Sequence, residues 1–169
     1  YADTRYASDL AGTPDPVSGN NSLQPVLFLL PSNRLSNAPA WTATGSAAWK
    51  PVIGRNLRAL VYLDTRWQSR INTGSDLLVE KAQGSFATVN TRIGIFPRDD
   101  RWSIELWVQN LTNTTYLQVA FAEPLQGGGS GGLPGTYPSV TRFGTNATQL
   151  FGGFLGEPRT WGATVRRHF

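Results

Sequence analysis

The chain has 169 residues with no Cys, no Met and a single His, and 13 of its 15 basic side chains are Arg, for a net charge of +4. No cysteine excludes a disulfide scaffold, a thiol nucleophile and a Cys-ligated metal, and a lone His168 excludes any site built on two imidazoles. The longest apolar run, Val26 to Leu30, falls far short of the roughly 18 residues that a membrane-spanning helix needs, which excludes a helical membrane protein but not a β-barrel, whose strands are apolar on one face only. The missing Met makes Tyr1 read as a processed or truncated end.

The informative signal is a period of two. Tyr1 to Ser8 reads as a weak first strand, with Tyr1, Asp3 and Arg5 alternating with Ala2, Thr4 and Tyr6. From Trp41 the odd positions are Trp41, Ala43, Gly45, Ala47 and Trp49, and the even ones are Thr42, Thr44, Ser46 and Ala48. From Leu57 the odd face carries Leu57, Ala59, Val61, Leu63, Thr65 and Trp67, and the even face Arg58, Leu60, Tyr62, Asp64, Arg66 and Gln68. Ala87 to Ile95 sets Ala87, Val89, Thr91, Ile93 and Ile95 against Thr88, Asn90, Arg92 and Gly94. Trp102 to Val108 sets Ile104 and Leu106 against Ser103, Glu105 and Trp107. Trp161 to Phe169 closes the series, with Ala163 and Val165 opposite Gly162, Thr164 and Arg166. Alternation over about ten residues predicts some six meandering strands, each wetted on one face.

The connections alternate as well. Short turns are predicted around Pro51 to Gly54 and at Pro97-Arg98-Asp99-Asp100, and long connections at Gly12 to Ala38, Ile71 to Gly84 and Leu117 to Pro158. Strict alternation of short and long gathers the long connections at one end. That predicts an all-β, antiparallel transmembrane barrel segment with short periplasmic turns and long extracellular loops. The tryptophans fit such a wall. Trp41 and Trp49 share a face eight residues apart, as do Trp161 and Phe169, and eight tilted strand residues climb roughly 20 Å, close to the apolar band of these barrels. With Trp67 and Trp102 they predict two lipid-facing aromatic girdles.

Several of these residues together resemble a known family. Tyr1-Ala2-Asp3-Thr4-Arg5-Tyr6 is similar to the ascending strand before a long outer loop of the TonB-dependent outer-membrane receptors. Leu35-Ser36-Asn37-Ala38-Pro39 resembles the Leu-x-Asn-x-Pro start of their next descending strand. Trp102 to Val108, followed by Asn110-Leu111-Thr112-Asn113 and Tyr116, resembles the family's penultimate strand, with Thr112 where an aromatic residue is usual. Gly156-Glu157-Pro158-Arg159-Thr160 and the run to Phe169 are similar to its closing strand. The resemblance implies that residues 1–169 are the C-terminal part of a 22-stranded barrel domain, with the plug and TonB-contacting segment outside this sequence. It also implies active uptake of a scarce, bulky nutrient such as a ferric siderophore, energised by the TonB–ExbB–ExbD complex. Phe169 would then serve as the terminal signal for the barrel-assembly machinery. The implied partners are the remainder of the barrel and its plug, in the same polypeptide or a companion chain, and outer-membrane lipid. An alternative is a passive or structural barrel completed by oligomerisation or by a second chain.

By parity Arg58, Arg66 and Arg92 project into the lumen, where guanidinium groups suit an anionic cargo. Lumen charges also pair with one another, and Glu105 is expected to pair with Arg92 on the neighbouring strand. The run Gly127-Gly128-Gly129-Ser130-Gly131-Gly132 lacks the Lys-Ser/Thr of a phosphate loop. Asp99 and Asp100 read as turn residues rather than an acid–base pair. Arg and Trp fall on opposite strand faces, which argues against a nucleic-acid stacking platform. No enzyme activity, cofactor or metal is predicted. Asn110, where the alternation breaks, predicts a bulge or the end of the strand.

Overall fold

A computed structural model describes residues 1–8, 30, 32–123 and 150–167. The strands follow in the order β1 Thr42–Trp49, β2 Val52–Ile53, β3 Leu57–Gln68, β4 Ile71–Asn72, β5 Ala82–Gln83, β6 Phe86–Pro97, β7 Trp102–Gln109, β8 Leu117–Ala122, β9 Phe151–Leu155 and β10 Thr160–Arg167. One 3-10 turn, Val79–Lys81, precedes β5. The protein is all-β, and every strand pair is antiparallel. Among the described residues no helix is long and apolar enough to cross a membrane.

The chain divides into two compact units. The sheet unit takes the described residues of Thr42–Gln68, Phe86–Thr115 and Glu157–Phe169. Its one sheet runs β1-β3-β6-β7-β10, with β2 continuing β1 along the same neighbour. Trp49 opposite Val61 and Val52 opposite Arg58 keep one register across the interruption at Lys50-Pro51, where Ala59 N still donates to Pro51 O at 2.9 Å. The hairpin turns on Gly54, whose φ of 67° suits a residue without a Cβ. The second hairpin turns through Asp100 at φ 53°, and Arg98 N donates to Asn56 O at 3.0 Å, tying the two short turns together. β1 and β10 each pair on one side only, so among the described residues the sheet is open and not closed into a barrel.

Register gathers most of the aliphatic residues on one face. Trp49, Val61, Ile93, Leu106 and Ala163 form one cross-strand row. Ala47, Leu63, Thr91, Val108 and Trp161 form the next. This face is exposed: Leu106 keeps 51% of its surface, Val165 72% and Trp161 79%. The only buried hydrophobic side chains among the described residues are Leu78 and Ala120, both outside the sheet unit. The sheet therefore shows its apolar side chains outward and has no dry core beneath them.

The loop unit gathers the described residues of Tyr1–Trp41, Ser69–Ser85 and Tyr116–Gly156, segments that include the three long connections of the sequence reading, the last as far as Gly156, and its weak first strand. The long connections pair within themselves, as β4 with β5 and β8 with β9. Tyr1 to Ser8 is not a strand; a single bridge joins Arg5 to Arg34. Its alternation is one of side-chain size and not of polarity, so no apolar face exists to bury. Between β4 and β5 the chain winds around Lys81, whose Nζ meets Asp76 Oδ2 at 2.5 Å with both side chains largely buried. Thr73 Oγ1 donates to Lys81 O and Asn72 Nδ2 to Leu78 O, closing the turn on itself.

Candidate functional site

The sheet's second face is polar and holds a cleft of about 240 Å³. Tyr62 on β3, Asn90 and Arg92 on β6, Glu105 and Trp107 on β7 and Arg166 on β10 line it. They meet because register stacks positions of one parity: Tyr62 lies opposite Arg92, Arg92 opposite Trp107, and Gly94 opposite Glu105. Gly94 matters here, since a Cβ at that position would stand 3.0 Å from Glu105 Cγ and obstruct the carboxylate's path across the strand. Gly162 plays the same part for Trp107, whose ring occupies the space of the missing Cβ. Trp107 Nε1 then donates to Thr164 Oγ1 at 3.3 Å.

Glu105 is the centre of charge. Its side chain is 11% exposed, and Oε1 accepts from Arg166 Nη1 at 2.6 Å while Oε2 lies 3.5 Å from Arg92 Nη1. The pairing expected with Arg92 is present, and the shorter bond goes to Arg166. The polar chain continues up the sheet. Asn90 Nδ2 donates to Asp64 Oδ2 at 2.8 Å, and Asn90 Oδ1 accepts from Asn110 N at 3.0 Å. Asn110 stands at φ 49° just past the end of β7, so the strand ends where the alternation breaks. Its buried side chain donates to Thr114 O and Glu157 O and accepts from Thr114 N, each at 2.9 Å. The Asn-Leu-Thr-Asn motif is thus a clamp: Asn113 Oδ1 in turn accepts from Arg159 N at 3.0 Å.

The three arginines singled out by parity do not come together. Arg92 lines the cleft with Glu105. Arg58 lies near the short turns, bonded to Asp100 Oδ1 at 2.7 Å and stacked 5.2 Å from the Phe96 ring. Arg66 is exposed near the end of β3, outside the cleft lining. Sequence reading put Arg166 on the polar face without its role as Glu105's closer partner, since pairing β7 with β10 spans a long connection. Of the girdle residues, Trp49, Trp67 and Trp161 are exposed on the apolar face, and Trp102 at the start of β7 is partly covered. Trp41 belongs to the loop unit, exposed, with the Tyr1 ring 4.8 Å away. Phe169, His168 and the glycine run at 127–132 lie outside the described residues.

No protein-family model, curated protein or solved structure matches the chain.

Proposed function

We propose that the chain is part of the wall of an outer-membrane β-barrel, the C-terminal part of a TonB-dependent receptor that imports a scarce, bulky nutrient such as a ferric siderophore. The observation that carries this reading is the inverted sidedness of the sheet. Rows of Val, Ile, Leu and Trp stand exposed on one face, while the largely buried Glu105 carboxylate, paired with two half-exposed arginines, lies on the other. In water such a face demands a second layer. In hydrocarbon it is satisfied as it stands, with tryptophans toward both ends of the strands at the interfaces. The one-sided pairing of β1 and β10 fits as well, because an open edge in lipid must be closed by further strands. The remainder of the barrel and its plug supply those strands, and the TonB–ExbB–ExbD complex supplies the energy.

A second reading, a passive or structural barrel completed by further copies or a second chain, draws on Glu105. Its two partners on the polar face make Arg92 a wall residue rather than a cargo ligand. Native mass spectrometry of the protein extracted from outer membranes in detergent separates the two. One large polypeptide per barrel supports the transporter, and several short chains support the passive barrel. A stable monomer in detergent-free buffer would overturn both.

A further inference from the structure

We propose that the loop unit contains a binding site for an amphipathic organic carboxylate. This inference concerns the loop unit alone and does not depend on the membrane reading. A cavity of about 520 Å³, within the size range of small-ligand pockets, opens between the segment around Asn33 to Ala40 and the start of the β4–β5 hairpin. Three guanidinium groups, Arg5, Arg34 and Arg70, share its lining with the apolar side chains of Leu35, Ile71 and Leu77. No acidic side chain lines it among the described residues.

Arg5 and Arg34 are held in place, which orients their free N–H groups toward the cavity they line. Arg5 Nε donates to Asp3 Oδ1 at 2.9 Å and Arg5 Nη1 to Ser32 O at 3.1 Å. Arg34 Nη1 donates to Ala2 O at 2.9 Å, and its Nη2 lies 3.1 Å from the same Asp3 oxygen. One carboxylate therefore serves two guanidiniums and orients both, while each keeps further N–H groups for another acceptor. Arg70 has no ion-pair or hydrogen-bond partner among the described residues. Among the described residues, three positive charges against one negative leave a surplus that attracts an anion, and the planar fork of Arg matches a carboxylate in two-point contact. The apolar side chains select for a hydrophobic body behind the anionic head. Inorganic phosphate offers nothing to Leu35, Ile71 or Leu77, so the site favours a carboxylate carried on an apolar frame.

The test is calorimetric titration of the purified full chain with 2-naphthoate and, in parallel, with neutral 2-naphthamide. The expected result is saturable 1:1 binding of naphthoate, with naphthamide weaker by roughly tenfold or more because it cannot form charge-assisted bonds. Arg70→Gln removes no side-chain bond among the described residues and should weaken naphthoate by about fivefold or more. Arg34→Gln should weaken it further, with circular dichroism confirming that the strands persist. Equal affinity for the acid and the amide would overturn the proposal, as would unchanged binding in Arg70→Gln. Competition by inorganic phosphate at equal concentration would reduce the site to a bare anion hole. Affinity that falls on Arg92→Gln and holds on Arg70→Gln would place the anion on the polar face of the sheet instead.

Discussion

Asn110 does the work of three residues. It takes a left-handed backbone conformation that costs most side chains roughly 1 kcal/mol or more, and its amide satisfies three backbone groups belonging to Thr114 and Glu157. Asn110→Ala loses both contributions, so a destabilisation of about 3 kcal/mol is expected; Asn110→Gly keeps the backbone freedom and should lose about 2 kcal/mol. Denaturant unfolding of the three proteins in the same detergent measures the difference, and equal losses would mean that the backbone conformation is not the source of strain. Glu105 offers a second comparison. Gln in its place keeps an acceptor for Arg166 but leaves two arginines uncompensated beside a largely buried amide, for an expected loss of about 1–2 kcal/mol. Arg92 is half exposed and its contact is the longer one, so Arg92→Gln should cost no more than about 0.5 kcal/mol. A larger loss for Arg92→Gln than for Glu105→Gln would show that Arg92 has a partner other than this carboxylate.

Strand sidedness is a property of the element, and it predicts two classes of substitution. Val61 and Thr91 stand on the apolar face of β3 and β6; if that face meets hydrocarbon, Val61→Arg and Thr91→Arg should each cost about 2–4 kcal/mol near the midplane. Tyr62→Arg and Ser46→Arg place the same charge on the polar face, Ser46 directly opposite Asp64, and should cost far less. Heat-modifiability of the folded protein reports the outcome, and equal penalties on both faces would remove the membrane reading. Asn90, of the same parity, is a poor control because it bonds both Asp64 and Asn110. Those long strands were legible because a half-buried surface imposes a period of two over eight to twelve residues. β4 and β5 are two residues each, too short to carry a period. β9 reads Phe-Gly-Gly-Phe-Leu, whose adjacent glycines fall one on each parity and leave no alternation to read. Glu105 with Arg92 could be read from adjacent strands joined by a short turn. The cavity lined by Arg5, Arg34 and Arg70 could not, because its walls come from segments far apart in the chain that carry no regular pattern.

At the scale of the whole molecule, the order of connections fixes which ends can share a compartment. The turns at Gly54 to Asn56 and Arg98 to Asp100 lie at one end of the sheet, joined by the bond from Arg98 N to Asn56 O. The segments that build the loop unit leave and rejoin the sheet at the opposite ends of the same strands. In an outer-membrane barrel the short turns face the periplasm and the long connections the exterior, so a sealed membrane separates the two sets. The chain has no native cysteine, which makes single-cysteine labelling unambiguous. Ser75 is exposed at the tip of the β4–β5 hairpin, whereas Ile53 and Asp99 are exposed at the short turns. Ser75→Cys should react with a membrane-impermeant maleimide on intact cells expressing the complete protein. Ile53→Cys and Asp99→Cys should stay near background until the outer membrane is permeabilised. None of the three side chains is buried: Ile53 and Ser75 are exposed, and among the described residues Asp99 pairs with the exposed Arg101, so loss of fold is not expected to confuse the assay. Labelling of Ile53→Cys and Asp99→Cys with protection of Ser75→Cys would invert the topology. Equal labelling of all three on intact cells would show that no membrane lies between the two ends of the sheet, and its exposed apolar face would then require a protein partner.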